Sequence, residues 1–379
     1  MIDTVKINAL GVPNDATNFD FNFERWTSFQ VKNSIVAPAE ASFELGDESG
    51  WDRINQLCQL GALFVVMVDD RARLTGRVEA LSSKTDARQS TTQSFVVRTK
   101  LSDALYSSAP QGIRLKRASI KDFVLACYDG IGMGREGDFD FQADVSRDLM
   151  TGKGSRGQKS PIALEPLTEE QAKVNPPETI YAAVDRHLRR HGLLHWDGPD
   201  GRIVVGAPDD QQDAVATLRS LRWPHGQYNN VLQVERGLDV SQSPTVLGVF
   251  GVGGGRDFSK TKITTTLFNQ DLIDRGFQRT VVIIDEALKT KQLAGARARR
   301  EFASRNRSLD RLTVSVDGLS YREGSDLLPW SPDTTHDVIV EQLGGALGIY
   351  YLEEVEMSRN ASQGDMTKLS LVRQGVWVL

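Results

Sequence analysis

Residues 61–81 read GALFVVMVDDRARLTGRVEAL, and residues 335–357 read THDVIVEQLGGALGIYYLEEVEM. Each is a strand, a short turn and a strand, with a Val-Glu pair near its end (Val78-Glu79 and Val355-Glu356). LFVVMVDD is an apolar, β-branched run ending in Asp69-Asp70, and RLTGRVEAL is the returning strand, so Asp69 to Arg73 is the expected hairpin loop. Hairpins are common, and a single similarity of this kind is weak. Near opposite ends of one chain, the two permit a pair of related β domains.

Outward from the first hairpin, residues 1–100 read as strands. Ser28–Lys32 and Ala41–Leu45 alternate, with Pro38 and Gly46-Asp47 as punctuation. A short amphipathic helix is expected around Ile54 to Leu60, and QSFVVRTK closes the segment as another strand. Residues 101–208 change character. SIKDFVLACYDG predicts a helix with Ser119 as N-cap and Gly130 beyond its end. Gly130 to Pro177 is polar and Gly-rich and reads as loop or linker. ETIYAAVDRHLRRHG predicts a second helix stopped by Gly192, and LLHW-DGPDG-RIVVGAP a tight hairpin. Together these suggest a small α/β domain. From residue 209 strands return: NVLQVERG, TVLGVFGVG, QRTVVIIDEA, LTVSVDG, HDVIVEQ, GIYYLEEVEM and TKLSLVRQG. A helix from Leu288 to Arg307 interrupts them, and about 250–307 reads as a helical and loop insertion.

Composition bounds the function. A chain of 379 residues suggests two to three domains and needs no disulfide staples. It is 40% hydrophobic and 25% charged, as soluble proteins are, and its 33 glycines favour the many turns of a β-rich chain. The two cysteines, Cys58 and Cys127, sit in apolar stretches and are expected to be buried thiols. No run approaches the roughly 20 apolar residues that span a bilayer, so synthesis in the cytosol and no membrane anchor are expected. A formal charge of −5 makes tight wrapping of DNA a poor expectation, because that requires Lys and Arg on phosphates.

Four groups of residues invite a chemical reading. Gly254 to Thr261, GGRDFSKT, is one residue from a phosphate loop, with Ser259 in place of the second Gly, and VVIIDEA (Val281–Ala287) resembles an Mg²⁺-holding strand. The loop must open a helix, however, and TKITTTLF is β-branched; about 20 residues also leave little room for a crossover between parallel strands. A mobile turn between strands is the expectation. His187, His191 and His195 are four apart, as metal ligands on a helix can be, but Gly192 interrupts the helix and Arg186, Arg189 and Arg190 would repel a cation. A solvated basic helix face is expected. Asp129, Glu136, Asp138, Asp140, Asp144 and Asp148 crowd one stretch without the Gly and distal Glu of a calcium loop, and read as a solvated acidic loop. Lys289, Lys291, Arg297, Arg299, Arg300, Arg305 and Arg307 mark the late helix as a solvated flank or a contact for phosphates or an acidic partner protein. No catalytic residue, metal ligand or cofactor site is assigned.

The overall pattern carries more than any of these motifs. FERWTSFQVKNSIVAPAEASFELGD, LFVVMVDDRARLTGRVEAL, VVRTKLSDALYSSAP and ETIYAAVDRHLRRHGLLHWDGPDGRIVV each match a segment of one family. The most specific run is IIDEA, then ARARREFASRNRSLDRLTVSVDG, then DLLPWSPDTTHDVIV. With these the chain resembles the baseplate hub proteins of contractile-tailed phages: the phage Mu P-like tail proteins and, more distantly, the late control D proteins and the hub part of the type VI secretion spike. Leu319 stands where the family often has Trp, and the stretch from Gly130 to Pro177 fits poorly.

The resemblance implies a mainly β fold with α+β insertions. Two related β-barrel-like tube domains, 1–100 and 209–379, would flank a peripheral α/β domain at 101–208, and three chains would form a ring. It implies a structural, non-enzymatic hub that joins the sixfold tail tube to the threefold central spike and encloses the DNA channel. The implied partners are the spike protein, the tube or tube-initiator protein and other baseplate (wedge) proteins, with DNA only in transit. The implied place is the virion tail, assembled in the bacterial host cytoplasm. Two alternatives stay open: a tail-associated cell-wall hydrolase using Asp138 and Asp140, and a nucleotide-dependent assembly factor using Lys260.

Overall fold

The computed structural model describes residues 4–11, 21–23, 26–46, 59–85, 91–113, 115, 119–142, 173–222, 229–252, 262–323, 326–360, 362 and 364–377. The first part is all strand: β1 (Val5–Gly11), β2 (Phe21–Phe23), β3 (Trp26–Ser34), β4 (Glu40–Leu45), β5 (Leu63–Val68), β6 (Arg71–Thr85) and β7 (Thr91–Arg98). Alternation decides the core, sending Ala41, Phe43 and Leu45 of β4 and Phe64, Val66 and Val68 of β5 inward. Phe43 stacks on Phe95 at 4.9 Å between ring centroids. The β5–β6 loop is shorter than its sequence suggests. Asp69 and Asp70 alone turn the chain, at φ 49° and 59°, and β6 begins at Arg71. Both central residues of such a two-residue turn lie in the left-handed region, which Asp tolerates better than most side chains. The helix expected over 54–60 lies outside the described residues except for Gln59 and Leu60, and Leu60 is in a turn.

The middle of the chain forms α1 (Lys100–Tyr106), α2 (Ile120–Asp129), β8 (Phe139–Phe141), α3 (Ile180–Arg190), β9 (Leu194–Asp197) and β10 (Ile203–Gly206). Ser119 caps α2 as expected: its Oγ accepts from the Asp122 N–H at 3.0 Å, and the Asp122 carboxylate accepts from the Ser119 N–H at 3.0 Å. Thr179 caps α3, and Gly192 follows it at φ 76°. The expected β9–β10 hairpin forms. β8 was not expected. It pairs in parallel with β10 inside a stretch read as linker, of which residues 143–172 lie outside the described part. Phe123, Val124, Ala183, Val184, Leu188, Ile203 and Val205 bury the helices against this small sheet.

The last part runs β11 (Ala216–Ser220), β12 (Val231–Gly237), β13 (Val246–Val252), β14 (Lys262–Phe268), α4 (Gln270–Asp274), β15 (Thr280–Ile284), α5 (Lys291–Asn306), β16 (Arg311–Asp317), β17 (Ser320–Glu323), β18 (Asp326–Pro329), β19 (Thr334–Val340), β20 (Gly345–Asn360) and β21 (Gly364–Arg373). β13 to α5 form a separate layer, a sheet of order β14-β13-β15 with α5 packed on it through Leu293, Ala294 and Ala298.

The two ends of the chain repeat one topology. Strands pair in the order β5-β6-β7-β4-β3 in the first lobe and β19-β20-β21-β16-β12 in the second. Even the irregularities coincide. The β5–β6 ladder slips between Val66 and Met67, and the β19–β20 ladder between Val338 and Ile339. β6 bulges at Glu79 against β7, and β20 bulges at Glu353 against β21. β3 bulges at Thr27 against β4, and β12 at Leu232 against β16. A bulge re-aims every residue beyond it, so shared bulges mean shared side-chain placement. This alignment corrects one detail of the sequence similarity. Val78-Glu79 falls on Leu352-Glu353, and Val355-Glu356 lies three residues further on. The lobes differ at the outer strand, since β1 is antiparallel to β5 whereas β11 is parallel to β19. They differ also between the first two equivalent strands, where the second lobe inserts the whole β13–α5 layer. β20 joins the lobes by pairing with β3, which makes a single 13-stranded sheet.

Candidate functional site

The constellation that organises the molecule is the joint where the lobes meet. Along it Glu354 pairs with Ser34, Met357 with Val31 and Asn360 with Ser28, antiparallel. Val355 and Met357 sit in the core with Val31 and Phe29, so the seam is closed by a backbone ladder over buried apolar side chains. On the other face Lys32 lies 3.2 Å from Glu354, and Gln30 donates to Glu356 at 2.7 Å. Such part-exposed contacts set register more than they stabilise.

Behind the seam lies a buried polar knot. Glu353, the bulged residue, is 1% exposed. It accepts from Arg307 at 2.8 Å and 2.7 Å and from the Trp377 indole N–H at 2.8 Å. Arg300 and Arg307 lie over the Trp377 ring, 4.9 Å and 5.7 Å from its centroid. The Trp377 backbone N–H donates to Asp210 at 2.7 Å. A carboxylate can be buried this deeply only when cations and donors replace its water. The surrounding apolar cluster draws on every part of the fold: Ile35 from the first lobe, Leu194 and Trp196 from the α/β unit, Ala303 from α5, and Tyr351 and Val372 from the second lobe. Asp197 adds a second tie. Its carboxylate accepts from the Ala39 N–H at 2.8 Å and from the Thr99 hydroxyl at 2.6 Å, and burial pushes its pKa up to about 6.

The residues singled out in the sequence go elsewhere. Gly254 to Thr261 lie outside the described residues. The next described element along the chain is β14, a strand antiparallel to β13, where a phosphate loop would open a helix. The crossover does find room: β15 lies parallel beside β13, reached through β14 and the short α4. Asp285, at the end of that strand, takes two hydrogen bonds from the Arg190 guanidinium, at 2.9 and 3.1 Å, tying the insertion to α3.

His187, His191 and His195 are all buried, which overturns the expected solvated face. His187, on α3, packs on Phe123 with ring centroids 4.2 Å apart, and His195, on β9, packs on Tyr181 at 4.4 Å. Burial holds their pKa values down, to about 2, 4 and 3 in chain order, with neighbouring arginines adding to the effect. Among the described residues, no group of three or more His, Cys, Asp or Glu converges on a point. Asp129, Glu136 and Asp140 are exposed as expected, but Asp129 ends α2 and Asp140 lies in β8, so the stretch is not all loop; Asp138 is half-buried 3.6 Å from Lys100. Asp144 and Asp148 lie outside the described residues.

The basic helix is also not a free flank. Lys289 and Lys291 are exposed, but Arg300 is buried, Arg297 and Arg305 pair with Glu301 at 3.3 and 2.8 Å, and Arg307 binds Glu353. Arg297, Arg300, Arg305 and Arg307 are thus engaged within the chain. A cleft of about 300 Å³ between α3 and α5 is lined by Asp185, Arg186, Arg189, Asp285 and Arg297, a nearly compensated set of charges. Cys127 is buried and its thiol is pushed up to about 12, so it is a poor nucleophile; Cys58 lies outside the described residues.

Glu353, Trp377, Asp210 and Asp197 carried no signal in the sequence. Each matters because partners distant in sequence converge on it, and only the shared bulge at Glu79 and Glu353 could have pointed to one of them. Glu79 accepts from Arg98 and from the Ser102 hydroxyl of α1, both at 3.1 Å. In both lobes, then, the bulged glutamate latches a neighbouring segment.

No family model and no curated protein matches the sequence. Solved structures do match. A tail protein from Neisseria meningitidis MC58 superposes with a TM-score of 0.74 at 17% identity, over 100% of this chain and 98% of that one. A 43 kDa tail protein of prophage MuSo2 from Shewanella oneidensis gives 0.72 at 16% identity, over 98% and 99%. An E. coli component of the type VI secretion system, itself described as similar to the T4 bacteriophage tail proteins gp27 and gp5, gives 0.55 at 10% identity, over 97% and 76%. Near-complete coverage at such low identity means a shared backbone plan, and the chain has the fold of these phage tail proteins, which the type VI component also carries.

Proposed function

We propose that this chain is the structural hub of a contractile phage-type baseplate, working as a ring of three copies between the tail tube and the central spike. The observation that carries this is the duplication in register, bulges included. A chain with two equivalent lobes, used three times, offers six similar faces to a sixfold tube while keeping threefold symmetry for a spike. The lobes of 1–100 and 209–379 would build the ring wall, and the α/β unit of 101–208 and the β13–α5 layer would stand outside it. The fold shared with tail proteins of a prophage and of Neisseria supports a tail role. On this reading the partners are the spike, the tube or its initiator, and wedge proteins, and DNA crosses the enclosed channel without being held. A chain of charge −5 suits that passage, since a basic lumen would retain DNA. Gold-labelled antibody against this chain, applied to tail particles from the source strain, tests the placement. Label at the junction of tube and spike is the expected result; label along the sheath or on the capsid would refute it.

A further inference from the structure

The five core strands of the lobes correspond, yet one junction is filled and its equivalent is not. In the second lobe the outer half of β20, from Glu354 to Asn360, has β21 on one side and β3 on the other. In the first lobe the equivalent half of β6, from Ala80 to Thr85, has β7 on one side and no described strand on the other. The packing registers the difference. Val355 is 0% exposed, whereas its equivalent Leu81 is 41% exposed, with the rest of that half-strand exposed around it. At the far end of the sheet the complement is found. β3 lies between β4 and β20, but its equivalent β12 pairs, among the described strands, with β16 alone, and Leu238 beside it is 67% exposed. One chain therefore carries one complete junction and the two separate halves of another.

We propose that β12 of one copy pairs antiparallel with the Ala80–Thr85 half of β6 in the next copy, in the register that β3 adopts on β20. The shared bulges set that register. Where Asn33 faces Val355 and Gln30 faces Ser358 within the chain, Leu238 faces Leu81 and Glu235 faces Lys84 between chains. The two exposed leucines bury one another on the inner face, and the exposed carboxylate and ammonium meet on the outer face. The contact joins two different surfaces, head to tail, so it propagates from copy to copy until the ring closes. It also covers two strand edges that would otherwise invite unspecific pairing. This junction rests on the proposed ring and gives it a specific interface.

Co-expression of Leu81→Cys chains with Leu238→Cys chains under mild oxidation tests it. A disulfide-linked dimer absent from either variant alone is expected, and the double variant should run as a covalent three-chain species. Both positions are exposed, so the variants should fold, and native mass checks that they do. A trimer by native mass without this cross-link would overturn the junction and leave the ring standing; a monomer would remove both. Independently, Lys84→Glu should weaken assembly by about threefold, the size of one cross-strand charge pair, and Glu235→Lys in the same chain should restore it. Failure of that rescue would also overturn the register.

Discussion

Glu353 and Glu79 occupy the same bulge in two lobes and differ in what burial does to them. Glu353 is enclosed with Arg307 and Trp377, and removing it leaves a guanidinium and an indole N–H without their partner. Glu353→Ala should cost about 3–5 kcal/mol, as loss of one member of a buried ion pair does. Glu79→Ala, at a part-exposed pair with Arg98, should cost under about 1 kcal/mol. Urea unfolding of the two variants compares them directly, and equal costs would contradict the account. The histidines make a second prediction. His187 is neutral in the folded chain, with its pKa at about 2, and takes up a proton near 6.5 when unfolded. The unfolded state then binds more protons, so this stability is full above pH 6.5 and is lost as pH falls below it. His187→Leu should flatten the fall in stability between pH 6 and pH 4.5 by about 1.4 kcal/mol per pH unit. Asp197, raised to about 6, works in the opposite sense, because its folded form holds a proton that the unfolded form has released. An unchanged slope in the variant would mean that His187 is charged in the fold. None of this was legible in the sequence: a His among arginines on a helix looks solvated until Phe123 is seen packed on it.

Elements were more legible than residues because periodicity is local. The alternation in β4 and β16, the apolar run of β5, the Ser119 cap and the stop at Gly192 all appear where the pattern places them. The errors came where tertiary pairing decides. β8 has three residues and exists because β10 offers it an edge. α1 follows β7 after a single residue and lacks a side-chain cap, so nothing marks its start. Gly76 shows how tightly such elements fit. A Cβ built there would lie 2.4 Å from the Arg98 carbonyl oxygen, a backbone atom that cannot swing away. Gly76→Ala should therefore force β6 from β7 and cost about 1–3 kcal/mol, lowering the urea midpoint without changing the slope of the transition. A neutral substitution would mean that the two strands are looser than their ladder implies.

At the scale of the whole molecule, two hairpins in the sequence hinted at a duplication that the fold extends to five strands and three shared bulges. The insertion of β13 to α5 between β12 and β16 hid the rest, since it separates strands that β3 and β4 keep adjacent. Resemblance through scattered patterns pointed to the architecture that solved tail proteins share. The joint around Trp377, which fixes both lobes and both peripheral units, depends on contacts across the full chain and could not be read from any one stretch. On the proposed ring, the duplication would let a threefold assembly present six like surfaces. The most direct test is the mass and rotational symmetry of the purified particle. Mass photometry and negative-stain class averages should show three 41.9 kDa chains in a closed ring of six similar lobes around a channel. A species that stays monomeric at high concentration, or a closed assembly with no central opening, would contradict the account.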